Sequence, residues 1–187
     1  PPVVVGASLG GLAALLAGGE SGLASPGLVL VDIAPRLEKE GTKRISSFMR
    51  ARPDGFASLE EAAELVASFT PERQRKPDYN TLSKNLRQGE DGRYRWHWDP
   101  RFLSRTGPVE IRDHNRLLSA ARNLGMPTLL VRGRQSDIVS EEGASEFMEN
   151  LSDGKFVDVS DAGHMVAGDR NDLFTAAVID FLTAKLS

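Results

Sequence analysis

The sequence contains no cysteine. Disulfide bonds, thiolate catalysis and cysteine-ligated zinc or iron–sulfur sites are therefore excluded for this stretch of chain. Histidine occurs only three times, at positions 97, 114 and 164, which argues against a histidine-rich metal site. No apolar run approaches the roughly 20 residues that a membrane-spanning helix needs. We therefore expect neither a histidine-rich metal site nor a membrane as a partner.

An excess of one charge is also missing, since 23 lysines and arginines face 26 aspartates and glutamates for a net charge of −3. This balance gives no reason to expect nucleic acid or an anionic surface as a partner, so we expect a small-molecule ligand. With 187 residues, 40% of them hydrophobic, the chain can form one packed domain or one domain with an insertion. The absence of cysteine and of a visible signal peptide favours the cytoplasm.

Short apolar runs alternate with helical patterns along the chain. Three runs resemble central parallel strands, and a fourth, Lys155–Val159, alternates more and is expected nearer an edge. Strand and helix in alternation predict an α/β fold with a parallel sheet covered on both faces. The three central strands are predicted at Val3–Val5, Leu28–Ile33 and Thr128–Arg132, and the helices at Leu9–Ala17, Ile111–Leu124, Ser140–Leu151 and Asn171–Leu186.

The middle of the chain departs from this rhythm, because residues 36–107 are highly charged and carry helices of their own. Ser58 and Glu61 have the spacing of a capping box, which predicts a helix that runs to about Phe69. A second amphipathic helix is predicted over Tyr79–Leu86. We therefore predict that residues 1–35 and 108–187 form an α/β core, with an inserted, mostly helical cap at 36–107.

The motif Gly6-Ala7-Ser8-Leu9-Gly10 lies between a predicted strand and a predicted helix. In that context the pattern G-x-S-x-G is typical of a nucleophile elbow, in which a strained turn presents a serine at the top of a sheet. We expect a Cβ at Gly6 or Gly10 to collide with the neighbouring backbone, and the N–H of Leu9 to be an oxyanion donor. The alternative is a phosphate-binding turn, although the G-x-G-x-x-G spacing and the P-loop lysine are missing.

A nucleophilic serine needs a base, and the base needs an acid to orient it. His164 follows the predicted strand Lys155–Val159, and Asp137 follows Thr128–Arg132, so both are expected at the carboxyl edge of the sheet. Asp32, which ends another strand, is a rival acid that we rank second. Ser140 is expected to cap the helix that follows Asp137.

These segments resemble the α/β-hydrolase superfamily, particularly its small esterases, haloperoxidase-like enzymes and C–C bond hydrolases. The resemblance rests on VVVGASLGG, LVLVDIAP, PTLLVRGRQSDIV and DAGHMVAGD. It implies Ser8 as nucleophile, Asp137 as acid and His164 as base. It also implies hydrolysis of an ester-like bond through an acyl-enzyme, with no cofactor and no metal. Lactonase and perhydrolase activities share this triad.

Family members place several strands and an oxyanion loop before the elbow. The resemblance therefore implies that an N-terminal part of the same protein completes the sheet and supplies the second oxyanion donor. This part either belongs to a longer polypeptide or is a separate piece that pairs with the 187 residues. Without that part we expect the 187-residue piece to be unstable or inactive.

The remaining predictions concern the substrate and a different class of function. Trp96, Trp98 and Phe102 are expected to line an apolar substrate pocket, or else to form the small core of the cap, and Met165 is expected to contact substrate. His97 is expected to be exposed and His114 to be structural. A ligand-binding sensor that keeps the triad without turnover is the alternative function.

Overall fold

The computed structural model of the chain describes residues 1–69, 78–99, 103 and 112–186. The chain divides into two compact units, of which the first combines Pro1–Lys43 with Pro108–Ser187 and the second comprises Arg44–Gly107. The second unit thus begins at position 44, whereas the predicted cap begins at 36. Its role as a cap stays a prediction.

The described elements are, in chain order, β1 (Val4–Ala7), α1 (Leu9–Ser21), β2 (Leu28–Val31), α2 (Lys39–Arg50), α3 (Leu59–Phe69), α4 (Tyr79–Ser83), β3 (Leu86–Gln88), β4 (Tyr94–Trp96), α5 (His114–Arg122), β5 (Thr128–Gly133), α6 (Glu141–Glu149), β6 (Gly154–Val159), α7 (Val166–Asp169) and α8 (Asn171–Leu186).

The first unit is built on a four-stranded parallel sheet in the order β1-β2-β5-β6. The predicted α/β fold with a parallel sheet is therefore confirmed, and β6 lies at an edge of the described sheet, as predicted. All residues of β2 and β5 are buried, because central strands of a parallel sheet are covered on both faces.

Opposite faces of the sheet pack against different helices. On one face, Ala177 and Phe181 of α8 join Val29 and Leu129 in a buried cluster. On the other face, α1 lies so close that a side chain at Gly11 would touch Leu30, whose side chain points away from that of Val29 because neighbouring residues of a strand alternate. The strands are thereby held between two helical layers.

The second unit has a small core of its own. Phe56, Ala62, Ala63, Leu82 and Leu86 are buried together in it. The capping box at the start of α3 is confirmed on one side, since the N–H of Glu61 donates to Ser58 Oγ over 3.3 Å. Glu61 Oε2 accepts a 2.6 Å hydrogen bond from the N–H of Ala57, one residue before the expected position.

Sequence patterns did not predict α2, α7 or the β3–β4 hairpin. In α2 only Gly41 is buried, and the strand β4 has no fully buried residue. The elements β3, β4 and α7 have only three or four residues each, too few for a periodic pattern, and α2 consists mostly of charged and polar residues. None of the helices in the described ranges has the length and apolarity to cross a membrane.

Candidate active site

Strand register brings two of the predicted site residues to the same level of the sheet. Ala7 pairs with Val31, and Val31 pairs with Val131. Ser8 and Asp32 directly follow the first two of these residues, so they stand side by side at the carboxyl edge. His164 lies in the loop that follows β6 at the same edge.

Backbone strain is concentrated at this edge. Ser8 has φ 49° and ψ −123°, Asp32 has φ 47° and Asp161, in the histidine loop, has φ 55°. Side chains with a Cβ adopt positive φ only at an energetic cost, and such residues cluster at functional sites. A strained serine between a strand and a helix is the geometry of a nucleophile elbow.

The elbow is held by its backbone. The carbonyl oxygen of Ser8 accepts hydrogen bonds from the N–H groups of Gly11 (3.0 Å) and Leu12 (3.1 Å), which form the first turn of α1. Within the described residues, the Ser8 side chain does not cap this helix. The N–H of Leu9, the first residue of α1, belongs to the helix-terminal donors that have no carbonyl partner within the helix.

Two glycines allow strand and helix to approach closely at the elbow. A Cβ at Gly6 would lie 2.7 Å from Gly11 Cα, as expected for this position. The expectation for Gly10 was wrong, because a Cβ there meets nothing within 4 Å in the described part of the chain. The second close approach is at Gly11 instead, where a Cβ would lie 2.4 Å from Ile33 Cγ2.

His164 is paired with a carboxylate. Its Nδ1 lies 2.7 Å from Asp32 Oδ2. The Asp32 side chain is completely buried and that of His164 is 16% exposed. Because an ionised carboxylate only accepts hydrogen bonds, Nδ1 carries the proton and the lone pair of neutral His164 lies on Nε2.

This contact involves the acid that we ranked second. We expected Asp137 to orient His164 and ranked Asp32 second, whereas the carboxylate that is hydrogen-bonded to Nδ1 belongs to Asp32. Gly133 at the end of β5 leaves room for the loop that carries His164, because a Cβ at this position would lie 2.1 Å from the carbonyl oxygen of Gly163. The histidine loop therefore passes directly over the end of β5 toward β2.

The buried carboxylate of Asp32 has two further donors. The N–H of Gly133 donates to Oδ1 over 3.0 Å, and Ser136 Oγ lies 2.5 Å from Oδ2. A buried carboxylate is stable only when its lone pairs are satisfied, and here three donors serve it. Sequence reasoning missed Ser136, since no pattern relates it to Asp32, more than 100 positions away.

The remaining predicted residues have mixed outcomes. Leu9 directly follows Ser8 and is 39% exposed, and Met165 directly follows His164 and is 55% exposed. In the second unit Trp96 packs on the buried cluster and stacks on Trp98, with ring centroids 4.8 Å apart. This packing favours the cap-core interpretation for Trp96. Phe102 lies outside the described residues.

The other histidines are placed as expected. His97 is exposed, and His114 begins α5, where its Nε2 lies 3.2 Å from Glu146 Oε1. Within the described ranges, no three histidine, aspartate or glutamate side chains are grouped as metal ligands would be.

The structure thus combines a parallel α/β sheet, a strained serine after one strand and a histidine–aspartate pair at the same edge. This combination defines a class of enzyme fold with a nucleophile elbow. The chain matches the alpha/beta hydrolase family over residues 1–177 and belongs to this family.

Individual relatives agree with the family. The chain is 28% identical over 171 residues to the 3-hydroxybutyrate-oligomer hydrolase of Cupriavidus necator, which covers 85% of this chain and 57% of that protein. An esterase from Mycobacterium tuberculosis is similar in structure, with 28% identity and a TM-score of 0.73 over 97% of this chain and 60% of that one.

The structure of E-2-(acetamidomethylene)succinate hydrolase has a TM-score of 0.80 at 21% identity, which shows a shared fold. The match covers 97% of this chain and 66% of that protein. The chain thus spans less than two thirds of the length of each of these three relatives.

Proposed function

We propose that this chain carries the catalytic triad of a serine hydrolase that cleaves an ester-like bond of a small, apolar substrate. In this proposal Ser8 is the nucleophile, His164 the general base and Asp32 the acid. The observation that carries it is the 2.7 Å contact between His164 Nδ1 and the buried Asp32, at the sheet edge where the strained Ser8 stands.

The proposed reaction starts with proton transfer from Ser8 Oγ to His164 Nε2, while Oγ attacks the carbonyl carbon of the substrate. The electron pair of the carbonyl bond moves to its oxygen, which the N–H of Leu9 stabilises at the start of α1. Collapse of this intermediate expels the alcohol, which takes the proton from Nε2. Water then attacks the acyl-enzyme by the same steps, and Asp32 stabilises the imidazolium each time.

The class of substrate follows from the relatives and from the side chains near the site in sequence. One relative is named as a hydrolase of 3-hydroxybutyrate oligomers and another as an esterase. Leu9 and Met165, which adjoin the proposed nucleophile and base, are exposed apolar side chains. We infer that they contact the substrate. Location in the cytoplasm stays a prediction.

We also infer that further polypeptide of the same protein covers the outer edge of β1. Among the described strands, β1 pairs only with β2, and its Val5 side chain is 54% exposed. An unpaired, apolar edge strand promotes aggregation unless it is covered. The relatives, of which this chain spans less than two thirds, have additional chain with which to cover it.

Labelling by a fluorophosphonate tests the proposed function. We expect the full-length protein to gain one adduct on Ser8 and to hydrolyse p-nitrophenyl esters, and Ser8→Ala to lose both properties. The residual rate should be several orders of magnitude below that of the wild type.

The control is Ser25→Ala, which removes a serine hydroxyl that contacts the carbonyl oxygens of Pro2 and Gly27 at the opposite end of β1. This variant should keep both the adduct and the turnover. If the wild type bound esters without hydrolysing them and gave no adduct, the ligand-binding alternative would replace the enzymatic one.

A further inference from the structure

The hydroxyl of Ser136 occupies the centre of the loop between β5 and α6. Its Oγ lies 2.5 Å from Asp32 Oδ2, the same oxygen that contacts His164 Nδ1. Oγ also accepts hydrogen bonds from the backbone N–H groups of Ile138 (3.1 Å) and Val139 (3.3 Å). One side chain thus connects the proposed acid to the backbone of its own loop.

These contacts determine the direction of the hydroxyl hydrogen. A serine oxygen has two lone pairs and one hydrogen. The N–H groups of Ile138 and Val139 occupy the lone-pair side, so the hydrogen points to Asp32, which as an ionised carboxylate can only accept. The rotation of the hydroxyl is therefore restricted before any substrate binds.

The geometry points to Ser136 as a positioning residue for catalysis, an inference that rests on the proposed function. Asp32 Oδ1 is held by the N–H of Gly133, which alone would leave the carboxylate free to pivot about that contact. Ser136 supplies the second support, at the oxygen that orients His164. Two fixed donors, one on each oxygen, set the plane of the carboxylate and hence the orientation of the imidazole ring that it contacts.

Ser140 offers a matched control within the same loop. Its Oγ donates to Glu38 Oε1 over 2.6 Å and accepts the N–H of Gly143 over 3.2 Å, where it caps α6. Like Ser136, it joins a carboxylate to the backbone, but that carboxylate is not Asp32. Ser136→Ala and Ser140→Ala therefore remove similar hydrogen bonds. Only Ser136→Ala removes a hydrogen bond to a residue of the proposed triad.

The experiment compares both variants of the full-length protein in the hydrolysis of p-nitrophenyl esters. We expect Ser136→Ala to lower kcat by roughly 10- to 100-fold, the range for a hydrogen bond to a charged group, with KM nearly unchanged. Ser140→Ala should keep kcat within about threefold of the wild type. Both variants should lower the melting temperature by similar amounts.

A double-mutant cycle tests whether Ser136 acts through Asp32. In the Asp32→Asn background the additional loss of kcat on Ser136→Ala should nearly vanish, because the carboxylate that Ser136 positions is already absent. If Ser136 were merely structural, Ser136→Ala would lower kcat by the same factor in the wild-type and Asp32→Asn backgrounds. If the alanine variant does not fold, Ser136→Cys replaces the hydroxyl with a weaker donor of similar shape and enters the same cycle.

Two results overturn the inference: a kcat of Ser136→Ala equal to that of Ser140→Ala, or full additivity with Asp32→Asn. Either result, together with lost turnover in Ser8→Ala, leaves the proposed hydrolase in place and removes only the role of Ser136. Undiminished turnover in Ser8→Ala instead overturns the proposed function, and that variant does not alter any contact of Ser136.

Discussion

Asp32 combines a charge, complete burial and a strained backbone in one residue. Its side chain has no solvent exposure, and its φ of 47° is in a region that residues other than glycine seldom adopt. Burial of an ionised carboxylate costs several kcal/mol unless hydrogen bonds compensate. Gly133, Ser136 and His164 provide that compensation, and each of them thereby also orients the carboxylate.

The first prediction at the residue scale distinguishes the two acids. Asp32→Asn should lower kcat by about 10⁴-fold, because an amide at this position favours the wrong tautomer of the histidine. Asp137→Asn should have a much smaller effect on kcat, since His164 Nδ1 donates its 2.7 Å hydrogen bond to Asp32. Steady-state hydrolysis of a p-nitrophenyl ester by both variants measures the difference. The reverse order of losses would return the role of acid to Asp137.

At the scale of elements, the elbow depends on how closely α1 approaches the sheet. The motif and the residue after it contain three glycines, at positions 6, 10 and 11, but they have different surroundings. Gly6 and Gly11 lie against each other, and Gly11 also lies against Ile33, whereas Gly10 faces open space within the described part of the chain. Only the first two are therefore required for packing in this structure.

Gly11→Ala should destabilise the protein by about 1–3 kcal/mol, the usual cost of overpacking, since its Cβ would lie 2.4 Å from Ile33 Cγ2 and 2.9 Å from the carbonyl oxygen of Gly6. Gly10→Ala is the matched control in the same helix. It should be neutral or stabilise by up to about 1 kcal/mol, because alanine has the higher helix propensity. Urea unfolding of both full-length variants measures the two changes. Equal losses would contradict the packing argument.

The β3–β4 hairpin gives a prediction about pH. Asp91 accepts hydrogen bonds from Arg95 Nη1 (2.9 Å) and Nη2 (2.6 Å). The Arg95 side chain, and after it the backbone N–H of Arg93, hold the pKa of Asp91 well below the ordinary aspartate value of 3.8. A depressed carboxyl pKa stabilises the folded state above the unfolded pKa, and this contribution is lost as the pH falls toward the folded one.

Asp91→Asn should therefore lower the urea midpoint of the second unit near pH 7, and the difference from the wild type should shrink below about pH 4. Both tryptophans of the chain lie in this unit, so their fluorescence reports its unfolding. Glu90→Gln removes the same charge one position away and should leave the midpoint nearly unchanged at both pH values. A pH-independent effect of Asp91→Asn would show that the ion pair is not its cause.

At the scale of the whole molecule, the sheet has a well-covered centre and an uncovered side. Strands β2 and β5 are buried along their entire length. Strand β1 is half exposed and, among the described strands, pairs only on its inner side. On that side the N–H group of Val4 donates to the carbonyl oxygen of Gly27, just before β2, and the N–H group of Ser8 donates to that of Val31 in β2.

Because hydrogen-bonding directions alternate along a strand, the N–H groups of Val5 and Ala7 point to the outer side. If further polypeptide covers this edge, these two amides should exchange as slowly in the full-length protein as the amides of β2. In the isolated 187-residue piece they should exchange much faster. Hydrogen exchange followed by NMR or mass spectrometry measures both, with the amide of Val4 as an internal control. Fast exchange of Val5 and Ala7 in both proteins would mean that the edge stays uncovered.

The sequence alone determined the strands of the sheet, most of the helices around it, the elbow at Ser8 and the positions of the histidine and of both acids. These features depend on local patterns: apolar runs, glycine spacing and polar residues that directly follow strands. They can be read without knowledge of neighbours.

Tertiary structure decided which carboxylate contacts His164, which glycines the elbow requires and that Ser136 contacts the same carboxylate. Each of these depends on a distance between segments that are remote in the chain. Asp32 and Asp137 follow adjacent strands and satisfy the same sequence criteria, and only the passage of the histidine loop over Gly133 favours one of them. Local patterns do not contain such a distance, because it is set when the helices and strands pack together.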